Sequence, residues 1–376
     1  MPTSTGAKPT LALAMIVRDE AHNLEQWLPE ARPFLDELVV VDTGSKDDTV
    51  AFLHDLDARV FEYPWEDNFS QSRNQGLAHV TADWILILDA DERLTRADWE
   101  RVRELIHSDH AIAYTFQVKN YHAPNDQTAF DVMRAYRLFR NGHGIGYEGA
   151  VHNQLAGAIE RAAAASGLRV EEAHVTVHHY GYALGPEAMC AKRERIYRMV
   201  KRAVDAHPGD AFYLFHMLSI CHGMGRYQEA RTIVGQIPFD ALRPELRMKA
   251  YCKASQVSLY FDAFDEAKAF ARQALDLAPT LPFLHHLQSQ ILYQMGHYAA
   301  GIRAAYRAIE HAQDDIDDTE GIYLSMDQLL ANLAMGYMLT GDHKAAEWHL
   351  QEALAINPTN YDARTWMTRL EELMPA

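Results

Sequence analysis

At 376 residues, with 48% hydrophobic and 23% charged content, the chain is long enough for two domains with cores of their own, and its composition excludes disorder as the default. A formal net charge of -17 argues against broad binding to nucleic acid or to anionic membranes. Cys190, Cys221 and Cys252 lie far apart, without zinc-site spacing or the even count of a disulfide framework, which points to buried free thiols in a reducing compartment.

The N-terminus Met1 to Thr10 is small and polar and has no signal-peptide cleavage pattern. The apolar run Leu11 to Val17 is too short to span a membrane, so a soluble, cytoplasmic protein is expected. That run reads as a strand ending at Arg18-Asp19-Glu20, and Asn23 opens a helical pattern with Leu24, Trp27, Leu28 and Leu35 inward. Leu38 to Val41 is a second strand ending at Asp42, followed by the turn Thr43-Gly44-Ser45 and a helix capped by Asp47 or Asp48. Arg59 to Tyr63 gives a third strand, and Phe69 to Val80 a helix.

The apolar run Trp84 to Leu88 then stops abruptly at Asp89-Ala90-Asp91-Glu92. Strands alternating with helices imply a mostly parallel sheet with right-handed crossovers. Arg18, Asp42 and Asp91 therefore fall just past the carboxyl ends of parallel strands, where ligands of open α/β sheets bind. Neither a G-x-G-x-x-G nor a G-x-x-x-x-G-K-[ST] pattern is present, so phosphate must be held some other way. A divalent ion on Asp91, with Arg73 near the start of the Phe69 helix, would supply the charge.

Beyond a Thr95 to Asp98 capping pattern, Ile112 to Tyr121 and Met133 to Phe139 read as strands. The glycine-rich stretch Gly144 to Gln154 carries Glu148 and His152, the candidates for a general base, with Asp91-Glu92 as the alternative. Val175 to Tyr182 closes the domain, and His179 is placed to join Asp91 on a metal, where neutral imidazole suits Mn²⁺ better than Mg²⁺.

Four blocks, Met15 to Glu20, Val41 to Thr49, Asn68 to Asn74 and Leu88 to Glu92, resemble in order and spacing the family 2 glycosyltransferases of the GT-A fold, over roughly residues 10 to 182. The branch most similar joins this domain to tetratricopeptide repeats and includes the peptide S-glycosyltransferases of the SunS type. The resemblance implies that Asp42 contacts the base of a nucleotide-diphosphate sugar, that Asp89 lies near the ribose or donor sugar, and that Asp91 holds Mn²⁺ or Mg²⁺ on the diphosphate. Arg18 and Arg73 would add charge-assisted hydrogen bonds to the leaving group. His152 is followed by Asn153 where the related proteins usually carry glutamate. That departure lends support to a rival reading in which the domain keeps only a nucleotide fold and the chain is a scaffold. Nucleotidyl transfer, which also uses paired Asp and metal, would release pyrophosphate instead.

From about Gly185 helical periodicity takes over. Similar blocks begin at Gly225, Ala263, Gly296 and Gly341, at intervals of 33 to 45 residues, and Pro279 and Pro358 end two of the units. This is the tetratricopeptide pattern, so the expected organisation is an α/β domain over 1–184 and an all-α solenoid over 185–376. No linker rich in Gly or Ser separates them, and the acidic run at Asp314 to Asp318 reads as a solvated turn. The solenoid offers a concave face for an extended peptide, or a homodimer contact. The expected activity is metal-dependent, inverting transfer from a nucleotide-diphosphate sugar, a UDP-sugar being favoured. A peptide or protein side chain is the favoured acceptor, and a lipopolysaccharide or other saccharide the second.

Overall fold

The structure is a computed structural model that describes residues 8–123, 126–149, 154–181, 186–312 and 324–373. It divides into two compact units, Met1–Lys192 and Arg193–Ala376. Among the described residues no helix is long and apolar enough to cross a membrane.

In the first unit the strands are β1 (Leu11–Val17), β2 (Glu37–Asp42), β3 (Arg59–Glu62), β4 (Trp84–Ile87), β5 (Glu92–Arg93), β6 (Ala111–Ala123), β7 (Asp126–Arg140) and β8 (Arg169–His179). The helices are α1 (Ala21–Glu25), α2 (Leu28–Ala31), α3 (Thr49–Asp55), α4 (Phe69–Leu77), α5 (Arg96–Leu105) and α6 (Ala156–Ser166). The described strands form one sheet in the order β3-β2-β1-β4-β7-β6-β8-β5. β1 pairs parallel with β2 and β4, and β2 with β3, so their carboxyl ends share one edge. β7 joins β4 and β6 antiparallel, while β8 runs parallel to β6 and antiparallel to β5.

The unbroken apolar runs of β1 and β4 follow from burial on both faces. Leu11, Leu13, Met15, Trp84 and Leu86 pack into one core, with Trp27, Leu28, Trp99 and Val102 from the helices. Ala12, Ala14, Ile85 and Ile87 point to the other face, against Val80, Leu155 and Ile159. The expected strands are present, with β6, β7 and β8 longer than the apolar pattern indicated. Helix α6, the two-residue β5 and the first half of β8 lie outside the elements that the apolar pattern predicts. Of the thiols expected to be buried, Cys221 and Cys252 are, while Cys190 is exposed. The helix expected from Asn23 is broken into α1, α2 and a 3-10 turn over Arg32–Phe34, with Trp27 at φ −145° between α1 and α2 and Pro29 in the first turn of α2. The capping box expected at Thr95 and Asp98 is present at the start of α5.

Helix α7 (Pro186–Ala206) runs across the division at Lys192, which falls a little later than the 184/185 boundary expected from the periodicity. Beyond it lie α8 (Ala211–Gly223), α9 (Tyr227–Val234), α10 (Pro244–Tyr260), α11 (Phe264–Leu277), α12 (Pro282–Gln294), α13 (Tyr298–Ala312), α14 (Met326–Thr340), α15 (His343–Ile356) and α16 (Tyr361–Leu373). From α8 to α15 they form antiparallel pairs joined by one repeated turn. The N–H groups of Arg226, Ala263, His297 and Asp342 each donate to the carbonyl five residues earlier, at 2.8–3.0 Å. The residue before each donor takes left-handed φ: Gly225 (69°), Asp262 (55°), Gly296 (75°) and Gly341 (79°). Buried alanines, among them Ala230, Ala267, Ala274, Ala304, Ala346 and Ala353, let the helices approach closely. This is the tetratricopeptide architecture that the repeats predicted. The acidic run at Asp314 to Asp318 lies outside the described residues.

Candidate functional site

The parallel strands deliver the loops of the site to one edge of the sheet. After β1, the Asp19 N–H donates to Ser45 Oγ (2.9 Å) and its carboxylate accepts the Lys46 N–H (2.6 Å). Glu20 N–H donates to Thr49 Oγ1 (2.8 Å), so the loops following β1 and β2 are stitched together. Asp42 is buried at the end of β2, and its carboxylate accepts the N–H groups of Gly44 (2.9 Å) and Ser45 (3.0 Å). Arg18 stands beside this loop with a largely open side chain, 3.9 Å from Asp19.

The Asp89-Ala90-Asp91-Glu92 turn is clamped on its backbone. Asp89 N–H donates to Glu92 Oε2 (2.9 Å) and Glu92 N–H to the Asp89 carbonyl (3.0 Å). The Trp27 indole N–H reaches the Ala90 carbonyl (3.0 Å), and Tyr180 N–H the Asp91 carbonyl (3.0 Å). The acidic side chains then have fixed partners. Arg73 Nη2 meets Asp89 Oδ1 at 2.6 Å, Arg137 Nη2 meets Glu92 Oε1 at 2.5 Å, and His179 Nε2 faces Asp91 Oδ2 at 3.6 Å.

Strand register explains how His179 arrives there: it lies opposite Asn120 on β6 and Glu92 on β5. Its Nδ1 is 2.6 Å from Asn120 Oδ1, an acceptor, so Nδ1 carries the proton and Nε2 is turned toward Asp91. Gly181 then closes on the pair. A Cβ on Gly181 would stand 2.2 Å from Asp91 Oδ2 and 2.5 Å from His179 Nε2. Only a residue without a side chain lets the two groups share this space.

Electrostatics follow the geometry. Burial works to raise the Asp89 carboxyl, but Arg73 and then Arg137 hold it below the usual range. Burial raises Glu92 despite Arg137. Burial would lower His179, yet Asp91 beside it lifts the imidazole above its ordinary value. Glu20 is raised, first by burial and further by the charges of Asp91, Asp89 and Asp47.

Asp91 and His179 fit a divalent cation: a carboxylate and an imidazole nitrogen, held by backbone and by Asn120, converge on one point. Among the described residues no group of three or more His, Cys, Asp or Glu side chains is set to hold a metal. The remaining ligands would be phosphate oxygens and water, which is how Mg²⁺ usually sits on nucleotides.

Helix α4 brackets the site. Asn68 caps it through the Gln71 N–H (3.0 Å), which sets Ser70 and Asn74 on one face and Arg73 beside them. Asn74 Nδ2 donates to the Tyr147 carbonyl (2.9 Å), its Oδ1 accepts the Tyr147 N–H (2.7 Å), and Ser70 Oγ bonds the Gly149 carbonyl. Glu148 is exposed on that loop and paired with Arg161. His152 lies outside the described residues. The structure thus brings together Asp89, Asp91, Arg73 and His179, sets Asp42 and Arg18 at the neighbouring strand ends, and turns Glu148 toward Arg161. In the sequence Trp27 reads only as a core residue and Asn120, Arg137 and Gly181 carry no signal; their roles come from contacts between distant segments.

The Glycosyl transferase family 2 model matches residues 13–155. A TPR repeat-containing protein of Synechococcus elongatus is 32% identical over 214 residues, covering 55% of this chain and 51% of that protein. The SPbeta prophage-derived glycosyltransferase SunS of Bacillus subtilis is 26% identical over 154 residues, 39% of this chain and 35% of that one. The chain thus spans about half the length, or less, of these curated relatives. A solved structure of MamA from Desulfovibrio magneticus is similar over 46% of this chain and 92% of its own, at 18% identity and a TM-score of 0.37.

Proposed function

We propose that the chain, whose residues 13–155 match the Glycosyl transferase family 2 model, moves a sugar from a nucleotide-diphosphate sugar to an acceptor with inversion. The observation that carries this reading is the convergence of Asp91 and His179 beside the Arg73–Asp89 pair at the carboxyl edge of the sheet. In such a transfer the acceptor heteroatom bonds to the anomeric carbon as the bond to the diphosphate oxygen breaks, through an oxocarbenium-like state. A bound Mn²⁺ or Mg²⁺ would neutralise the charge gathering on the leaving diphosphate.

The chain's own residues do the rest. Asp91 and His179 would hold the cation. Asp42 would meet the base, for which a UDP-sugar donor is favoured, and Asp89, with its carboxyl fixed by Arg73, would face the ribose or sugar. Arg18, exposed beside the β1 loop, is free to swing onto the diphosphate. The acceptor proton would pass to the loop carrying Glu148 and His152. Glu148 must leave Arg161 to serve, which favours His152.

The repeat unit supports a peptide or protein side chain as acceptor. Transfer of radiolabelled sugar into cell extract, fractionated into protein and saccharide pools, tests this. Label in protein supports the reading, while label confined to saccharide assigns the acceptor to that class.

A further inference from the structure

Lys253 lies half-buried in the middle of α10, and among the described residues no carboxylate pairs with it. Burial, and then Lys249 one turn back, work against its charge and lower the ammonium below its ordinary value. A desolvated cation without a counter-ion is costly, and a chain of net charge -17 has carboxylates enough to supply one. Lys249, Lys253, Gln256 and Tyr260 follow at helical spacing, so they share one stripe of α10, while Tyr251 and Val257 turn into the core. The facing wall comes from α8 and α9. His222 on α8 is near enough to Lys253 that this charge, after burial itself, pushes its imidazole down to about 4. The His222 ring meets Tyr227 edge to face with centroids 5.7 Å apart, and Tyr227 stacks on Tyr260 at 3.9 Å. Lys253, His222, Tyr227 and Tyr260 thus close a circuit between α8, α9 and α10. Tyr260 is 60% exposed, so the aromatic end of this circuit is open to solvent.

We propose that this groove of the repeat unit binds an acidic peptide, with a carboxylate on Lys253 and an apolar or aromatic side chain on the stacked rings of Tyr227 and Tyr260. The inference rests on reading the repeats as the holder of a peptide acceptor, and it names the chemistry of that peptide. The stripe from Lys249 to Tyr260 is about 16 Å long, the reach of about five extended residues. Gln256 stands between the ammonium and the rings, where its amide can both donate to and accept from a peptide bond. The carboxylate supplies the counter-ion that Lys253 lacks, as a charge-assisted hydrogen bond. The neighbouring side chain covers the ring that Tyr260 leaves open.

The test is fluorescence anisotropy with the full chain at low salt and without any sugar nucleotide. The probes are fluorescein-labelled Glu-Glu-Gly-Ser-Phe-Gly, its Gln-Gln counterpart, and labelled trigalacturonate as an acidic saccharide. Wild type is expected to bind the acidic peptide about tenfold more tightly than the Gln-Gln peptide, and Lys253→Met to erase that difference. Lys253→Met keeps the apolar stem and removes an unpaired charge, so the free variant should melt at a higher temperature than wild type, which separates lost binding from misfolding. Tyr260→Ala, at an exposed position, should weaken both peptides about threefold. Wild type that binds the two peptides equally, with Lys253→Met unchanged, would overturn the groove and leave the repeats as a peptide holder elsewhere. Wild type that binds neither peptide would overturn the groove and the peptide-acceptor reading together. Binding of trigalacturonate in their place would overturn the peptide and assign the groove to acidic saccharides.

Discussion

The α-carbon of Gly181 lies so close to Asp91 that a methyl group on it would stand 2.2 Å from Oδ2, inside any real contact distance. The same methyl would press on His179 Nε2 at 2.5 Å, so the glycine sets the gap between the two candidate metal ligands. Gly181→Ala is expected to push Asp91 and His179 apart and to weaken Mn²⁺ binding by about 10–100-fold, as changes just behind metal ligands do. Manganese titration followed by electron paramagnetic resonance reads this directly. Unchanged affinity would mean that the cation does not sit between these side chains.

Trp27 supports the acidic turn from behind. Its indole N–H is the side-chain donor to the Ala90 carbonyl, 63 residues away in sequence. Trp27→Phe keeps most of the core packing and leaves that buried carbonyl short of a donor, costing about 1–3 kcal/mol. Turnover should fall more than acceptor KM changes, since the turn orients the donor. A variant that loses stability but keeps its turnover would limit Trp27 to packing.

In the repeat unit, Asp327 is buried and accepts from Asn357 Nδ2 (2.9 Å) and Asn360 Nδ2 (2.7 Å). Burial opposes its ionisation, but hydrogen bonds from Ser325, Asn360 and Asn357 outweigh it and hold the carboxyl below its ordinary value. A carboxyl lowered on folding stabilises the native state above the unfolded value, near pH 4, and that stability is lost as pH falls through the lower folded value. The melting temperature of the wild type should therefore drop below about pH 4, partly through this group. Asp327→Ala should lose about 1–3 kcal/mol at neutral pH and show a flatter acid limb. Parallel acid limbs in the two proteins would exclude Asp327 from the transition.

Asp262 occupies the left-handed turn position that Gly225, Gly296 and Gly341 fill in the other repeats. An aspartate tolerates that conformation better than most side chains but still pays for its Cβ. Asp262→Gly should stabilise the chain by about 0.5–1 kcal/mol, seen as a shift of the urea midpoint with an unchanged slope. A loss of stability would show that the Asp262 side chain contributes more than its backbone costs.

Much of this arrangement is legible in the sequence. Trp84 to Leu88 is apolar on both faces and stops at three carboxylates, which is enough to place a site at a strand end. Small residues between the helices and a proline closing the unit, recurring in the second half, reveal the repeats. What is hidden depends on pairing between distant strands: Asn120 meets His179 only through the β6–β8 register, and Arg137 meets Glu92 from the far side of β4. Helix α6 is mostly alanine, which has high helix propensity but little contrast between faces, so no stripe marks it. Glu148 read as a base because it stands in a glycine-rich loop, and its pairing with Arg161 across a helix could not be seen.

The central claim is cation-assisted departure of a nucleoside diphosphate at Asp91. The most direct measurement is nucleoside-diphosphate release from UDP-, GDP- and dTDP-sugars with Mn²⁺, Mg²⁺ or EDTA, comparing wild type with Asp91→Asn in the presence of cell extract as acceptor source. Release confined to one donor, abolished by EDTA and lost in Asp91→Asn, is the predicted result. Release that persists in the mutant or in EDTA would contradict the role of Asp91, and no release from any donor would contradict the transferase itself.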